Sequence, residues 1–239
     1  MSFDLIPFAT ADELAREVAA GWLVQIEAAA ASNKPHLAAL SGGRIAVKLF
    51  GCFVEQARTR KTPLANAHFF WADERCVPPD DAESNYRMAR ELLFEPLRIS
   101  EDHIHRVKGE REPERAAAEA EEDIRRYAAL NQEGQPVLQL VLLGMGEDGH
   151  VASLFPGEPE ALQSSKAVYR AVRNSPKPPP NRVTLGYPAI AAADHVWVVV
   201  SGAGKEKALR ESVIVSGRTP LARVLHLRHA TKVFSDIGI

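Results

Sequence analysis

With 239 residues, 46% of them apolar, and a formal charge of −2, the chain can bury a substantial core but has no general attraction for nucleic acid or an anionic membrane. Its two cysteines, Cys52 and Cys76, stand in no CxxC or Cys/His spacing, which argues against zinc and dithiol chemistry. No apolar run approaches the roughly 20 residues that span a bilayer, and Met1-Ser2-Phe3-Asp4 lacks the basic and apolar regions of a signal peptide, so a cytoplasmic protein is expected.

Thr10-Ala11-Asp12-Glu13 has capping-box spacing, and Leu14, Val18, Trp22 and Ile26 follow on one face, which predicts a helix running toward Ala31. His36 to Leu40 reads as a strand ending at Ser41-Gly42-Gly43, with Ile45, Val47, Lys48 and Phe50 opening a second helix. The pattern repeats with a strand at His68 to Trp71, a polar loop from Ala72 to Glu83 and a helix from about Ser84 to Glu95. Glu110 to Leu130, rich in Ala and Glu, reads as a surface helix before an apolar strand at Val137 to Leu143. Arg182 to Leu185, His195 to Val200 and Thr231 to Phe234 read as further strands, and Gly204 to Ile214 as a helix. Strands alternating with helices imply an α/β fold, a mainly parallel sheet covered on both faces. Ser175-Pro176-Lys177-Pro178-Pro179-Pro180 must be an extended, stiff loop, and because the β/α pattern resumes after it, a single domain over 1–239 is expected.

Most of the unusual polar residues lie in four loops at strand ends: Ser41-Gly42-Gly43-Arg44, Asp73-Glu74-Arg75, Gly144 to His150, and Gly202-Ala203-Gly204-Lys205. In a parallel sheet such ends converge on one edge. Glycine turns leading into helices offer backbone N–H donors, and Arg and Lys add fixed charge, a set suited to a phosphate monoester. Each loop alone reads equally well as a tight or solvated turn. Within the third, His150 offers an imidazole that is neutral near pH 7 and able to act as a general base. Asp148 could orient it only if the chain turns there, because side chains two apart on a helix diverge. Asp102-His103-Ile104-His105 has a His-x-His spacing but no third ligand, so no metal is expected, and no cofactor.

The run Gly144-x-Gly146-x-Asp148-Gly149-His150-x-Ala152-Ser153-Leu154-Phe155-Pro156 resembles the signature of the 6-phosphogluconolactonase family. Asp73-Glu74-Arg75 with Val77 and Pro78, then Ser84-Asn85-Tyr86, resembles its second motif. Ser41-Gly42-Gly43 resembles the first, and Pro178 to Leu185 and Gly204-Lys205 resemble later ones. The resemblance implies a Rossmann-like three-layer α/β/α sandwich, shared with glucosamine-6-phosphate deaminase and ribose-5-phosphate isomerase, that needs no dinucleotide. It implies 6-phospho-D-glucono-1,5-lactone as substrate and His150 as the base that activates water. Asp148 and Arg75 join it as catalytic candidates, with the oxyanion donor left between Arg75 and a backbone N–H of the Gly144 to Gly149 turn. Ser41, Gly42, Gly43, Arg44, Asp73, Gly144, Gly146, Arg182 and Lys205 are the substrate-binding candidates.

Aminosugar-phosphate deaminases resemble the chain in the same glycine run but continue differently and carry Asp-Glu-Tyr, whereas Glu74 is followed here by Arg75. The alternatives are such a deaminase or a sugar-phosphate-binding regulator, against which the retained His150 and Asp148 and the lack of a basic DNA-binding segment argue. The chain departs from the pattern at Arg44-Ile45-Ala46, where a hydroxyl is usual, and at Gly186, where Thr is common. The expected partner is a small sugar-phosphate lactone, with neither nucleic acid nor membrane, and a monomer is the default.

Overall fold

The computed structural model describes residues 2–238. The first strand, β1 (Phe3–Pro7), lacks a sequence signal because Pro7 and the exposed Asp4 and Leu5 hide its pattern. Helix α1 (Ala11–Ala31) starts as its spacing predicts, with the Thr10 hydroxyl accepting from Glu13 N–H at 3.1 Å and the Glu13 carboxylate reaching back to Ala9 N–H at 3.1 Å. Then come β2 (His36–Leu40), α2 (Arg44–Arg60) and β3 (Ala67–Trp71).

The expected polar loop after β3 contains a short strand, β4 (Asp73–Arg75), and the expected helix after it is broken. Helix α3 (Asn85–Ala89) widens into a π turn at Arg90–Phe94 before α4 (Glu95–Leu97). Pro96 has no N–H to return to Leu92, so the chain takes the wider turn there. A 3₁₀ turn (Glu101–His103), α5 (Pro113–Tyr127), β5 (Leu140–Gly144), α6 (Glu160–Gln163), β6 (Tyr169–Val172) and β7 (Arg182–Leu185) follow. The chain closes with α7 (Tyr187–Ala192), β8 (His195–Val200), α8 (Glu206–Val213), α9 (Pro220–Leu227) and β9 (Thr231–Ser235).

Six strands form a parallel sheet in the order β1-β9-β8-β5-β2-β3. Its central strands are buried along nearly their whole length, which is why they read as continuous apolar runs rather than alternations. Crossovers to β2 and β3 run one way along the sheet and those to β8 and β9 the other; right-handed connections therefore put α1 and α2 on one face and α7, α8 and α9 on the opposite one. Accordingly α1 packs on α2, and α9 on α7 and α8. The buried Arg228 ties α7 to the strand it precedes, donating to the carbonyls of Ile190 (3.3 Å), Ala191 (2.6 Å), Ala193 (2.6 Å) and Asp194 (3.2 Å).

The strand expected at Arg182 to Leu185 exists but is not part of the parallel sheet. It is the centre of a second, antiparallel sheet, β4-β7-β6, covered by α5. Ala72 joins the two sheets: its N–H bonds to Leu40 C=O at 2.7 Å and its C=O accepts from Leu185 N–H at 2.8 Å. Strand order reverses between β2 and β5, and this opens a crevice at their carboxyl ends where a ligand site is expected in an open α/β sheet.

Candidate active site

The four loops singled out in the sequence do meet at that crevice. Ser41, Gly42, Gly43 and Arg44 after β2, Asp73 and Arg75 on β4, Gly144, Gly146 and His150 after β5, Arg182 on β7 and Lys205 before α8 line one open cleft. Asp148 stands behind the imidazole. Ile45, Asn85, Met145 and Ala152 also line the cleft, each within or beside a sequence motif but outside the expected site residues. Asn85 lies inside a motif the sequence carried, but without a chemical signal of its own.

The segment after β5 is a tight turn, closed by Gly146 N–H to His150 C=O at 2.9 Å and Gly149 N–H to Gly146 C=O at 3.0 Å. This turn brings the side chains of Asp148 and His150 together, with Nδ1 of His150 2.5 Å from Oδ1 of Asp148. Burial holds the imidazole below its ordinary pKa, against the pull of the Asp148 hydrogen bond and charge. Burial also works to raise the Asp148 carboxyl, but the hydrogen bonds and charge of His150 and the charge of Lys177 leave it below its usual value. An ionised carboxylate beside a neutral ring puts the proton on Nδ1, which donates to Asp148, and leaves Nε2 with a free lone pair.

The opposite wall is cationic. Arg44 opens α2 behind Gly43, an N-cap at φ 102° with no capping side chain, and the first turn of this 17-residue helix carries no acidic residue and lines the cleft with Arg44 and Ile45. Arg44 lies 4.0 Å from Glu147 in a solvated pair. Lys205 is half-buried, and burial, followed by repulsion from Arg44, lowers its pKa.

The floor is made of buried charges, Asp73 and Arg182 from the expected binding residues and Glu74 outside that set. Asp73 and Glu74 are 4% and 2% exposed. Ser153 donates to Asp73 Oδ2 at 2.7 Å and accepts from Arg182 Nη1 at 3.4 Å, while its N–H reaches Thr184 Oγ1 at 3.2 Å. Arg182 touches the cleft, yet its Nε and Nη2 donate away from it, to the carbonyls of Pro179 (3.2 Å), Lys177 (3.2 Å) and Pro178 (2.9 Å). Glu74 accepts from the N–H groups of Arg75 (2.7 Å), Asn85 (2.8 Å) and Tyr86 (2.7 Å), so its carboxylate shapes the Arg75 to Tyr86 loop although burial pushes its pKa up to about 7. Arg75 Nη1 donates to Glu83 C=O at 2.6 Å. Arg75 Nε, Ser41 Oγ and Asn85 Oδ1, all on cleft-lining residues, are buried without a partner among the described residues.

Gly186 departs from the usual Thr for a visible reason: a Cβ there would lie 2.6 Å from the Ala167 carbonyl oxygen. His103 and His105 join a different cluster, with His105 between His68 (3.0 Å) and Asp123 (2.9 Å).

A parallel sheet with a glycine-turn acid–histidine pair and a cationic wall at its switch point defines an open α/β protein whose candidate ligand site lies at the carboxyl edge of the sheet. The family described as glucosamine-6-phosphate isomerases/6-phosphogluconolactonase matches residues 9–234, and the chain belongs to it. It is 38% identical over 180 residues to a probable chloroplastic 6-phosphogluconolactonase 3 of Oryza sativa subsp. indica, covering 73% of this chain and 54% of that protein. The chain therefore spans about half the length of that relative. With the 6-phosphogluconolactonase of Mycobacterium tuberculosis it shares 37% identity over 204 residues, 82% of this chain and 79% of the other. The solved 6-phosphogluconolactonase from Trypanosoma cruzi superposes with a TM-score of 0.85 at 29% identity, covering 98% of this chain and 96% of that one.

Proposed function

We propose that the chain hydrolyses 6-phospho-D-glucono-1,5-lactone to 6-phospho-D-gluconate, the lactone step of the oxidative pentose phosphate pathway, with His150 as general base. The observation that carries this reading is the Asp148–His150 pair on one wall of a cleft whose other wall holds Arg44, Lys205 and the N-terminus of α2. The family and its named relatives supply the substrate.

In this reading the 6-phosphate sits against the cationic wall and the first-turn N–H groups of α2, and that remote binding places the lactone carbonyl beside His150. Nε2 takes a proton as water adds to C1. The oxyanion that forms is stabilised by Arg75, whose Nε has no partner among the described residues and whose Nη1 is anchored on Glu83. Collapse of the tetrahedral intermediate breaks the bond from C1 to the ring oxygen, and the imidazolium returns its proton to that oxygen. Asp148 holds the ring in the tautomer with Nε2 free and stabilises the transient imidazolium, the role of the acid in other acid–histidine pairs. Asp73, Ser153 and Arg182 hold the walls in place.

The test is the hydrolysis of freshly generated lactone, coupled to 6-phosphogluconate dehydrogenase and corrected for the spontaneous rate. Wild type should accelerate it, and His150→Ala should lower kcat by about 10²–10⁴-fold while the protein stays folded. No acceleration by folded wild type would overturn the substrate, and an active His150→Ala would overturn the base. Ammonia release from glucosamine-6-phosphate would replace the reading with a deaminase.

A further inference from the structure

The proline-rich loop brings a second charge to the dyad. Lys177 Nζ lies 3.9 Å from Asp148 Oδ1, the same oxygen that holds His150. Lys177 is not simply a long side chain that happens to reach an acid, because its backbone is fixed. Ser175 N–H bonds to Pro180 C=O at 2.8 Å, closing the loop on itself. Inside that loop Arg182 gathers the carbonyls of Lys177, Pro178 and Pro179. Arg182 is in turn held by Ser153 and lies 4.0 Å from Asp73. The loop is thus bolted to the cleft floor, and Lys177 projects from it toward the dyad from outside.

We propose that Lys177 is a positioning residue that holds Asp148 as the acceptor of the His150 Nδ1–H, so that Nε2 stays available as the base. The proposal rests on His150 acting as that base. Oδ1 of Asp148 receives the ring and the backbone N–H of His150, both from its own turn, and Lys177 is the one charge that reaches it from another loop. The other charges around the ring do not substitute for Lys177. Asp73 faces it from β4 but is bonded to Ser153, Arg182 reaches it only through Phe155, and Arg75, Arg44 with Glu147, and Lys205 belong to the other walls of the cleft. The charge of Lys177 works on both partners in the same sense, lowering the pKa of Asp148 and that of His150.

The experiment is an NMR titration of the His150 imidazole nitrogens, assigned by loss of its signals in His150→Asn, in wild type, Lys177→Met and Lys177→Arg, beside pH profiles of kcat/KM. Lys177→Met should raise the His150 midpoint by roughly half a pH unit, since a cation a few ångströms away in a half-solvated setting is worth that order. The acidic limb of kcat/KM should move up with it, and Lys177→Arg should restore both. An unchanged midpoint in Lys177→Met overturns the proposal, and a rise in KM with that midpoint unchanged makes Lys177 a substrate contact instead. A shifted midpoint in a chain that does not hydrolyse the lactone would sink the proposed activity and leave the coupling of Lys177 to the dyad standing.

Discussion

A side chain at Gly146 would collide with His150: the missing Cβ would lie 2.0 Å from Nδ1 of the ring and 2.7 Å from Oδ1 of Asp148. The glycine therefore leaves the space in which the dyad stands. Gly146→Ala should fold, because this glycine does not use a positive φ, but the ring must move by about an ångström or lose its Asp148 bond. A misplacement of that size costs on the order of 10²-fold in kcat/KM. The measurement is kcat/KM for the lactone beside a thermal melt; a variant with wild-type turnover would show that the dyad geometry is not what turnover needs.

The sign of the pH dependence follows from the ring. Burial holds His150 below its ordinary value, so the neutral base persists into mildly acidic solution, and kcat/KM should fall only as pH drops below about 6.5. In Asp148→Asn the carboxylate that favours the imidazolium is gone, so the acidic limb should move to still lower pH. The plateau should drop steeply, because an amide that donates to Nδ1 strands the proton on Nε2. An acidic limb that moves upward in Asp148→Asn would contradict the pairing.

Ser153 ties the segment after β5 to the antiparallel sheet at the cleft floor, and it is fully buried. In Ser153→Ala the Asp73 carboxylate loses its hydroxyl donor and Arg182 loses an acceptor, leaving two buried charges 4.0 Å apart with poorer hydrogen bonding. A loss of about 1–3 kcal/mol in unfolding free energy is expected, the usual cost of a stranded buried polar group. Urea denaturation measures it, and a variant as stable as wild type would show that Asp73 and Arg182 close on each other unaided.

The cleft was legible in sequence because strand-end glycines and charges are local marks. Ser41, Asp73, Gly144 and Lys205 each announce a loop, and a parallel sheet gathers such loops on one edge. What the residues alone could not give was the partition of strands. Asp73-Glu74-Arg75 is polar and only three residues long, so nothing local marks it as a strand; its two acids are buried because distant groups, Ser153 for Asp73 and the Asn85 and Tyr86 N–H groups for Glu74, receive them. Arg182 to Leu185 has strand periodicity, but periodicity does not say which sheet a strand joins. The Asp148–His150 contact was conditional on a turn that spacing could permit but not prove. Helix α9 is absent from the sequence expectations, and its start is a hydroxyl cap before proline, with a 3.0 Å bond from Ala222 N–H to Thr219 Oγ1.

Away from the cleft, His36 makes folding itself sensitive to acid. It is 2% exposed on β2, and its Nε2 accepts a hydrogen bond from Trp22 Nε1 at 3.1 Å, which uses the lone pair a proton would need. Burial, with a smaller push from His195, lowers its pKa to about 4. The unfolded chain takes up that proton near pH 6.5, whereas the folded chain refuses it until about pH 4. The stability that a neutral His36 permits is therefore intact above pH 6.5 and is lost progressively between there and pH 4, at up to about 1.4 kcal/mol per pH unit. His68, also held down to about 4 by burial and by the neighbouring His103 and His105, acts in the same direction. Urea midpoints measured across this range should fall with acidity in wild type and fall less steeply in His36→Gln, which can still accept from Trp22 but does not titrate. Parallel curves for the two proteins would remove His36 from the acid response.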